Sequence, residues 1–125
     1  PEDTGKVIVG GPMMGKALND TEIPVTKGTS GILIIPREEA HRKPMKVCIR
    51  CSQCVGVCPM GLEPYLLMIL TEKELYERLE EDQVLSCIEC GSCAYTCPSD
   101  RPLLDYIRLG KKTVLSIVKE RNSVK

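Results

Sequence analysis

The stretch CIRCSQCVGVCP at positions 48–59 is repeated at positions 87–98 as CIECGSCAYTCP. Both copies have the spacing C-x2-C-x2-C-x3-C-P, and the second follows the first by 39 residues, cysteine for cysteine. The two copies contain all eight cysteines of the chain. A pattern that repeats in this way and leaves no cysteine over predicts two sites of one kind.

This spacing suits a [4Fe–4S] cluster, in which each iron needs one thiolate. Three cysteines at intervals of three residues can bind three corners of a cubane, whereas the fourth, next to proline, lies too far along the chain. In two-cluster ferredoxins the fourth cysteine of such a run binds the other cluster. We therefore assign two crossed ligand sets. The first cluster takes Cys48, Cys51, Cys54 and Cys97, and the second takes Cys87, Cys90, Cys93 and Cys58.

Three other uses of cysteine compete with this interpretation. Four disulfides would suit a small secreted scaffold, but the sequence has no signal-peptide pattern. Two zinc sites could each take two C-x2-C pairs, although zinc requires neither the third C-x2-C step nor the prolines. A thioredoxin-like redox pair would need only two cysteines. Iron–sulfur chemistry is favoured, and zinc is the main alternative.

Composition narrows the class of protein. The 125 residues include no Trp, no Phe and four Tyr, so we expect bound clusters to complete a thin core and to contribute to folding. The 17 basic and 17 acidic residues balance, and no basic stripe with interleaved aromatics points to nucleic acid. The longest apolar runs, at 31–35 and 65–70, are too short to span a bilayer. Since the chain begins at Pro1, we interpret it as part of a longer protein.

Residues 1–46 contain no cysteine and differ from the rest of the chain. Short β-rich runs at 6–9, 23–26 and 31–35 predict three strands. Strands this short and few do not make a sheet of ordinary size. We interpret residues 1–46 as the tail of a larger β-containing domain with a linker.

Two details of that segment bear on function. The run GGPMMG at 10–15 predicts a turn with close backbone packing. It matches neither G-x-G-x-x-G nor a G-K-[ST] phosphate loop, so a nucleotide contact is the weaker interpretation. Residues 36–44 predict a polar linker with one helical turn, in which His41 is solvated rather than a ligand.

From residue 47 onward the segments between cysteine loops have helical spacing. Apolar residues at 62, 65, 66, 69 and 70 predict a helix over 63–70 with one apolar face. The capping-box signature at 71–74 predicts a second helix that begins there, with Leu75 and Leu79 inward. Since the 28 residues between Cys58 and Cys87 are interpreted as helix, we predict a mainly α fold. Residues 47–125 would form an α-helical ferredoxin-like two-cluster domain.

A third helix is predicted after the second motif. Ser99 or Asp100 can cap it, and Pro102 suits its first turn. Gly110 would interrupt it. Its apolar stripe consists of Leu103, Leu104, Ile107, Val114, Leu115, Ile117 and Val118, and its basic end of Lys111, Lys112, Lys119, Arg121 and Lys125.

Taken together, these motifs show that residues 6–121 resemble the C-terminal portion of the C subunit of the Rnf (or Rsx) electron transport complex. The matching stretches are VIVGGPMMG at 7–15, CIRC at 48–51, CPMGL at 58–62 and CIECGSCAYTCPS at 87–99. The cluster motif alone is shared by many families. The GGPMMG string upstream of it narrows the resemblance to this one.

The resemblance implies a bacterial or archaeal membrane complex that couples electron flow between ferredoxin and NAD to ion translocation. Its C subunit would be peripheral on the cytoplasmic face of the inner or plasma membrane, with no membrane span of its own. FMN and NADH would bind only in an upstream part that is similar to the flavin subunit of respiratory complex I. The two [4Fe–4S] clusters would relay electrons to other subunits, so this stretch needs no substrate site or catalytic residue.

The alternatives are of two classes. One is the iron–sulfur subunit of a heterodisulfide reductase or of a glycolate- or glycerol-phosphate-type dehydrogenase, which shares the two-cluster domain but not the GGPMMG string. The other is a zinc-stabilised interaction module. A catalytic iron–sulfur enzyme is disfavoured, because such clusters usually leave one iron without a cysteine.

The two motifs also differ in charge. Arg50 stands in the first where Glu89 stands in the second. A nearby cation favours the reduced cluster and an anion opposes it, which predicts the higher potential for the first cluster. Five apolar residues should shield the clusters: Ile49, Val55, Val57, Ile88 and Ala94.

Overall fold

The computed structural model describes residues 3–123, and the chain divides into two compact units. The first unit ends at Pro44 and the second begins at Met45. The two units differ in secondary structure, because the strands all lie in the first and the helices of four residues or more all lie in the second, within the described residues.

The first unit is a three-stranded antiparallel sheet with the order β2-β1-β3. Its strands are β1 (Thr4–Val9), β2 (Lys16–Ala17) and β3 (Ile32–Pro36), and a 3-10 turn follows at Arg37–Glu39. The strands predicted at 6–9 and 31–35 are confirmed, as is the single helical turn in the linker. The prediction of a strand at 23–26 is wrong, because these residues lie outside the sheet. Pro24 in this run has no backbone N–H to donate to a neighbouring strand.

The turn between β1 and β2 is the GGPMMG run. Gly10 has φ of 107°, which favours glycine, and its N–H donates to the carbonyl of Gly31 at 2.8 Å. The N–H of Gly15 donates to the carbonyl of Gly11 at 2.7 Å, and a Cβ on Gly15 would lie 2.5 Å from that same oxygen. The predicted turn with close backbone packing is confirmed.

The second unit is helical. Its helices are α1 (Gln53–Gly56), α2 (Pro64–Glu72), α3 (Tyr76–Glu81), α4 (Ser92–Thr96) and α5 (Leu103–Ser123), with a 3-10 turn at Val84–Ser86. Helices α2 and α3 both pack against α5. The fully buried side chains of the core are Leu67, Met68, Leu79, Leu103, Ile107, Val84 and Val114.

The prediction that a helix begins at the capping-box signature at 71–74 is wrong. The hydroxyl of Thr71 donates to the carbonyl of Leu67 at 2.8 Å, so Thr71 lies inside α2, which continues to Glu72. Helix α3 begins only at Tyr76. Leu79 is fully buried as predicted, whereas Leu75 precedes the helix and is 49% exposed, so its predicted inward position is wrong.

Helix α5 also departs from the prediction. It runs through Gly110 without interruption, because this glycine is buried where α5 meets Thr71 and Leu79. The hydroxyl of Ser99 donates to the carbonyl of Val47 at 2.9 Å instead of capping the helix. Leu115 and Ile117 of the predicted apolar stripe are partly exposed. Lys125 of the predicted basic end lies outside the described residues.

The repeat in the sequence is also a repeat in the backbone. Residues with φ in the left-handed region recur 39 positions apart, in three pairs. These pairs are Arg50 and Glu89 (54° and 58°), Ser52 and Gly91 (59° and 82°), and Gly61 and Asp100 (65° and 49°). Helices α1 and α4 begin at equivalent positions, as do α2 and α5. The two copies therefore share one loop conformation as well as one spacing.

No helix within residues 3–123, the 21-residue α5 included, is both long enough and apolar enough to cross a membrane.

Candidate metal centre

The four cysteines that the sequence assigns to the first cluster surround one cavity of about 360 Å³. Cys48, Cys51 and Cys54 come from the loop that enters α1, and Cys97 follows α4 at the end of the second motif. Three residues of α2, namely Tyr65, Leu66 and Ile69, line the same cavity. The structure thus brings together three thiols of one motif and one thiol of the other.

The other four cysteines surround a second, smaller cavity of about 20 Å³. Cys87, Cys90 and Cys93 come from the second loop, and Cys58 comes from the end of the first motif. Leu67 of α2 and two residues of α5, Leu104 and Ile107, line it as well. All eight predicted site residues therefore fall into two groups of four, with the same division as the crossed ligand sets.

In each loop, the residue just before the short helix has a backbone φ in the left-handed region, and this residue shapes the loop. In the first loop the carbonyl of Ser52 accepts hydrogen bonds from the N–H groups of Val55 at 3.0 Å and Gly56 at 3.1 Å. In the second loop the carbonyl of Gly91 accepts the equivalent bonds from Ala94 at 3.1 Å and Tyr95 at 3.0 Å. This turn brings the third cysteine of each motif round to the same side as the first two.

Backbone amides also point at sulfur. The N–H of Leu62 donates to Sγ of Cys58 at 3.4 Å, and the N–H of Glu89 donates to Sγ of Cys87 at 3.4 Å. A hydrogen bond of this kind favours the thiolate, which is the form that binds metal. The loops therefore supply donors to sulfur as well as the sulfur itself.

The thiols differ in acidity because they differ in burial and in hydrogen bonding. Burial raises the pKa of Cys54 and Cys87, and it raises the pKa of Cys93 to about 11. Cys90 is the opposite case, since the Ser92 hydroxyl, 3.5 Å from its sulfur, lowers its pKa. The thiols of Cys54, Cys87 and Cys93 are therefore protonated at neutral pH, and binding a metal ion must displace their protons.

The second loop carries an ion-pair network that the sequence did not predict. The carboxylate of Glu89 is 3.0 Å from Nε of Arg108 and 3.3 Å from Nζ of Lys111. Burial raises the pKa of this carboxyl, but hydrogen bonds from the two cations outweigh it and hold the pKa below its usual value. The anion of the second loop is therefore paired with two cations, and the higher potential expected for the first cluster stays a prediction.

Among the described residues, two cations line the first cavity, and the more buried of them is Arg101. Its guanidinium lies 3.4 Å from the carbonyl of Lys46 and 3.7 Å from the carboxylate of Glu72, and its side chain is only 14% exposed. Arg50 lines the same cavity from the exposed side. The i, i+3 spacing of Arg108 and Lys111 on α5 could have been noticed in the sequence, whereas nothing local indicated the position of Arg101.

The predicted apolar shield is only partly present. Val55 and Ala94 are half-buried, but Ile49, Val57 and Ile88 are exposed at the surface of the loops. The apolar lining comes instead from α2 and α5. Helix α2 is apolar on more than one side, so it can bury Leu67 and Met68 in the core while Tyr65 and Leu66 line the first cavity.

The donor chemistry of both groups fits iron–sulfur clusters. All eight cysteines are free thiols, and the described residues that line the two cavities include no histidine and no carboxylate. Within residues 3–123, no three His, Cys, Asp or Glu side chains are arranged to share a single metal ion. A cubane distributes its four thiolates over four irons, which is a different arrangement.

The two cavities differ in the room they offer. The first, at about 360 Å³, is an open cavity bounded by four thiols. The second, at about 20 Å³, has space for about one water molecule. Its four thiols fit a cluster by their chemistry, and we expect the loop at 87–93 to move outward when a cluster binds.

Comparison with known proteins agrees with this chemistry. The family of 4Fe-4S dicluster domains matches residues 40–98. The chain is 42% identical over 114 residues to the C subunit of the Na(+)-translocating ferredoxin:NAD(+) oxidoreductase complex of Acetobacterium woodii. It is 46% identical over 108 residues to the C subunit of the proton-translocating ferredoxin:NAD(+) oxidoreductase complex of Clostridium ljungdahlii. It is 42% identical over 120 residues to the C subunit of the ion-translocating oxidoreductase complex of Methanosarcina acetivorans.

These alignments cover 91%, 86% and 96% of the chain, respectively. They cover 26%, 24% and 26% of the three relatives. The chain therefore spans about a quarter of the length of these three curated relatives.

Proposed function

Because this chain belongs to the C-subunit family of ion-translocating oxidoreductase complexes, we propose that it relays electrons through two [4Fe–4S] clusters. The observation that carries the proposal is the division of eight cysteines into two groups of four around two cavities. When bound, each cluster would accept and release one electron at a time. The chain would hold the clusters by thiolates, donate N–H groups to sulfur and exclude water with the apolar side chains of α2 and α5.

The proposed ligands are the two crossed sets. Cys48, Cys51, Cys54 and Cys97 would bind the first cluster, and Cys58, Cys87, Cys90 and Cys93 would bind the second. Each motif would thus contribute three ligands to its own site and one to the other. Since the short helices α1 and α4 pack against each other, crossed ligation would keep the two clusters near one another, as electron transfer between them requires.

The part of the relatives that this chain does not cover suggests which domain would lie next to this segment. Residues 1–46 would be the end of a larger β-containing domain, in which FMN and NADH bind. In support, one face of the sheet is apolar and exposed, with Ile32 and Ile34 of β3 each about half accessible. The relay would then pass electrons between that flavin site and the next subunits of the complex.

The proposed location is the cytoplasmic face of the membrane, where the C subunit would be peripheral. The substrate sites of the complex would lie outside this segment, which would carry electrons only. Two relatives are named for different translocated ions, Na(+) for one and the proton for the other, and this chain is similarly identical in sequence to both. We therefore place the choice of ion in other parts of the complex.

Pairs of substitutions test both the clusters and the crossing. The chain would be reconstituted anaerobically with iron and sulfide, then analysed for iron, sulfide and visible absorbance that bleaches on reduction. We expect roughly eight irons in the wild type. The Cys51→Ser/Cys97→Ser variant should retain roughly four irons, because both changes fall on one cluster. The Cys51→Ser/Cys58→Ser variant, with two changes as well, should lose both clusters.

The opposite pattern would indicate that each motif binds its own cluster. A colourless wild-type chain that retains zinc after anaerobic reconstitution would contradict the relay function and favour the zinc-stabilised module.

A further inference from the structure

The second cysteine loop is held from outside by three side chains that we call the α5 clamp, namely Glu89, Arg108 and Lys111. The carboxylate of Glu89, on the loop, pairs with Arg108 at 3.0 Å and with Lys111 at 3.3 Å, both on α5. Nζ of Lys111 also donates to the carbonyl of Cys87 at 2.6 Å. The clamp therefore contacts the backbone of a cysteine that lines the second cavity.

The first loop is not held in this way. Arg50, which is equivalent to Glu89 in the repeat and has the same left-handed backbone, is exposed beside the first cavity. The two loops thus share a conformation but differ in what surrounds them. The surroundings of the first loop are different, because Arg101 there donates to the carbonyl of Lys46 and pairs with Glu72.

The clamp brings the ammonium of Lys111 to the second loop, where it pairs with Glu89 and donates to the carbonyl of Cys87. Its side chains are partly buried, at 33% exposed for Glu89, 19% for Arg108 and 20% for Lys111. Partly buried charges are screened less by salt than exposed ones. Since reduction adds negative charge to a cluster, a fixed cation beside it favours the reduced form.

We propose that the α5 clamp is a positioning network that raises the reduction potential of the second cluster, with Lys111 as the cation that acts on it through Cys87. This inference rests on the proposed function, because it requires a cluster at Cys58, Cys87, Cys90 and Cys93. Glu89 holds Lys111 in place and offsets part of its charge. Removing Lys111 and removing the charge of Glu89 should therefore shift the potential in opposite directions.

The test is an EPR-monitored redox titration of the reconstituted chain. The Cys51→Ser/Cys97→Ser background, which should carry only the second cluster, identifies which midpoint belongs to it. In the full chain, we expect Lys111→Met to shift the reduction equilibrium of that cluster about tenfold toward the oxidised form, which is about 59 mV for one electron. Glu89→Gln should shift it the other way, and Lys111→Arg, which keeps the charge, should stay near the wild type.

The matched control is Lys112→Met, which removes the same charge from an exposed neighbouring residue of α5. It should change the equilibrium by less than about threefold, because an exposed charge is screened. Equal shifts for Lys111→Met and Lys112→Met would overturn the proposal, as would a downward shift for Glu89→Gln. If Lys111→Met binds no iron, Glu89→Gln decides alone, since an upward shift supports the clamp and any other result overturns it.

The relay function and the clamp fail in distinguishable ways. A wild-type chain without iron–sulfur clusters would overturn both together. Two clusters whose potentials do not respond to Lys111→Met or Glu89→Gln would overturn only the clamp.

Discussion

The contact between α5 and the other helices depends on the absence of a side chain at Gly110. This glycine lies in the middle of α5 and is buried against α2 and α3. A Cβ at this position would collide with the hydroxyl of Thr71 and would lie 2.6 Å from Cδ2 of Leu79. Both neighbours are buried, and the Thr71 hydroxyl is held by its hydrogen bond to Leu67. We therefore predict that Gly110→Ala destabilises the second unit.

The expected size follows from two opposing effects. Alanine favours an α-helix over glycine by about 1 kcal/mol. Overpacking a core by one carbon usually costs about 1–3 kcal/mol, and here the new carbon would meet two side chains at less than contact distance. Because the new carbon meets two buried side chains, we expect a cost of about 2–3 kcal/mol, which leaves a net loss of about 1–2 kcal/mol in the free energy of unfolding. For a unit of this size that is a fall of about 4–16 °C in Tm.

The assay is urea unfolding of the reconstituted chain under anaerobic conditions, followed by circular dichroism. Gly56→Ala is the control, because Gly56 is also helical and a Cβ there would meet no atom within 4 Å. In the Leu79→Ala background the Gly110→Ala change should cost less, because one of the two colliding groups is gone. If Gly110→Ala were as stable as the wild type, and behaved like Gly56→Ala, the close packing of α5 would be refuted.

Two further predictions concern the cysteine loops. Gly91→Ala should destabilise the chain by about 1–2 kcal/mol, because φ of 82° is costly for alanine. Ser52→Gly, at the equivalent position of the first loop, should be neutral or stabilising. Urea unfolding of both variants checks this, and equal losses of stability would contradict it. In the cluster-free chain, stability should fall as pH rises from about 9 to about 11, because the unfolded Cys93 thiol ionises near its ordinary pKa while burial raises the folded pKa to about 11. The loss is about 2–3 kcal/mol, and a Cys93→Ser variant with an equally steep pH profile would contradict it.

The sequence was most informative where spacing is fixed by covalent chemistry. The repeat of C-x2-C-x2-C-x3-C-P predicted two groups of cysteines, and the structure gathers them around two cavities. Helical periodicity likewise predicted a helix at 63–70, which is α2. These signals are strong because a loop of given length allows few arrangements of its thiols and because a helix has one period.

Predictions from local sequence patterns were wrong where tertiary contacts determine the structure. The pattern at 71–74 has the residues of a capping box, but Thr71 is buried and its hydroxyl bonds to the helix that precedes it. Gly110 would weaken an isolated helix, yet here its missing side chain is what lets α5 pack closely. The apolar residues of α2 could not be divided between core and cavity, because the helix is apolar on more than one side.

The two copies of the motif differ in charge at one position, where the first has Arg50 and the second has Glu89. The left-handed residues recur at equivalent positions, so the repeat preserves the path of the backbone around each group of thiols. Glu89 and Arg50 occupy one such pair of positions, and only Glu89 is joined to α5 by two cations. Because the backbone turns of the two loops are equivalent, a difference in potential between two such clusters would come from their surroundings, which are these charged side chains and the different room in the two cavities. The charged side chains on the helices that support each loop would then help to set the order in which electrons occupy the two sites.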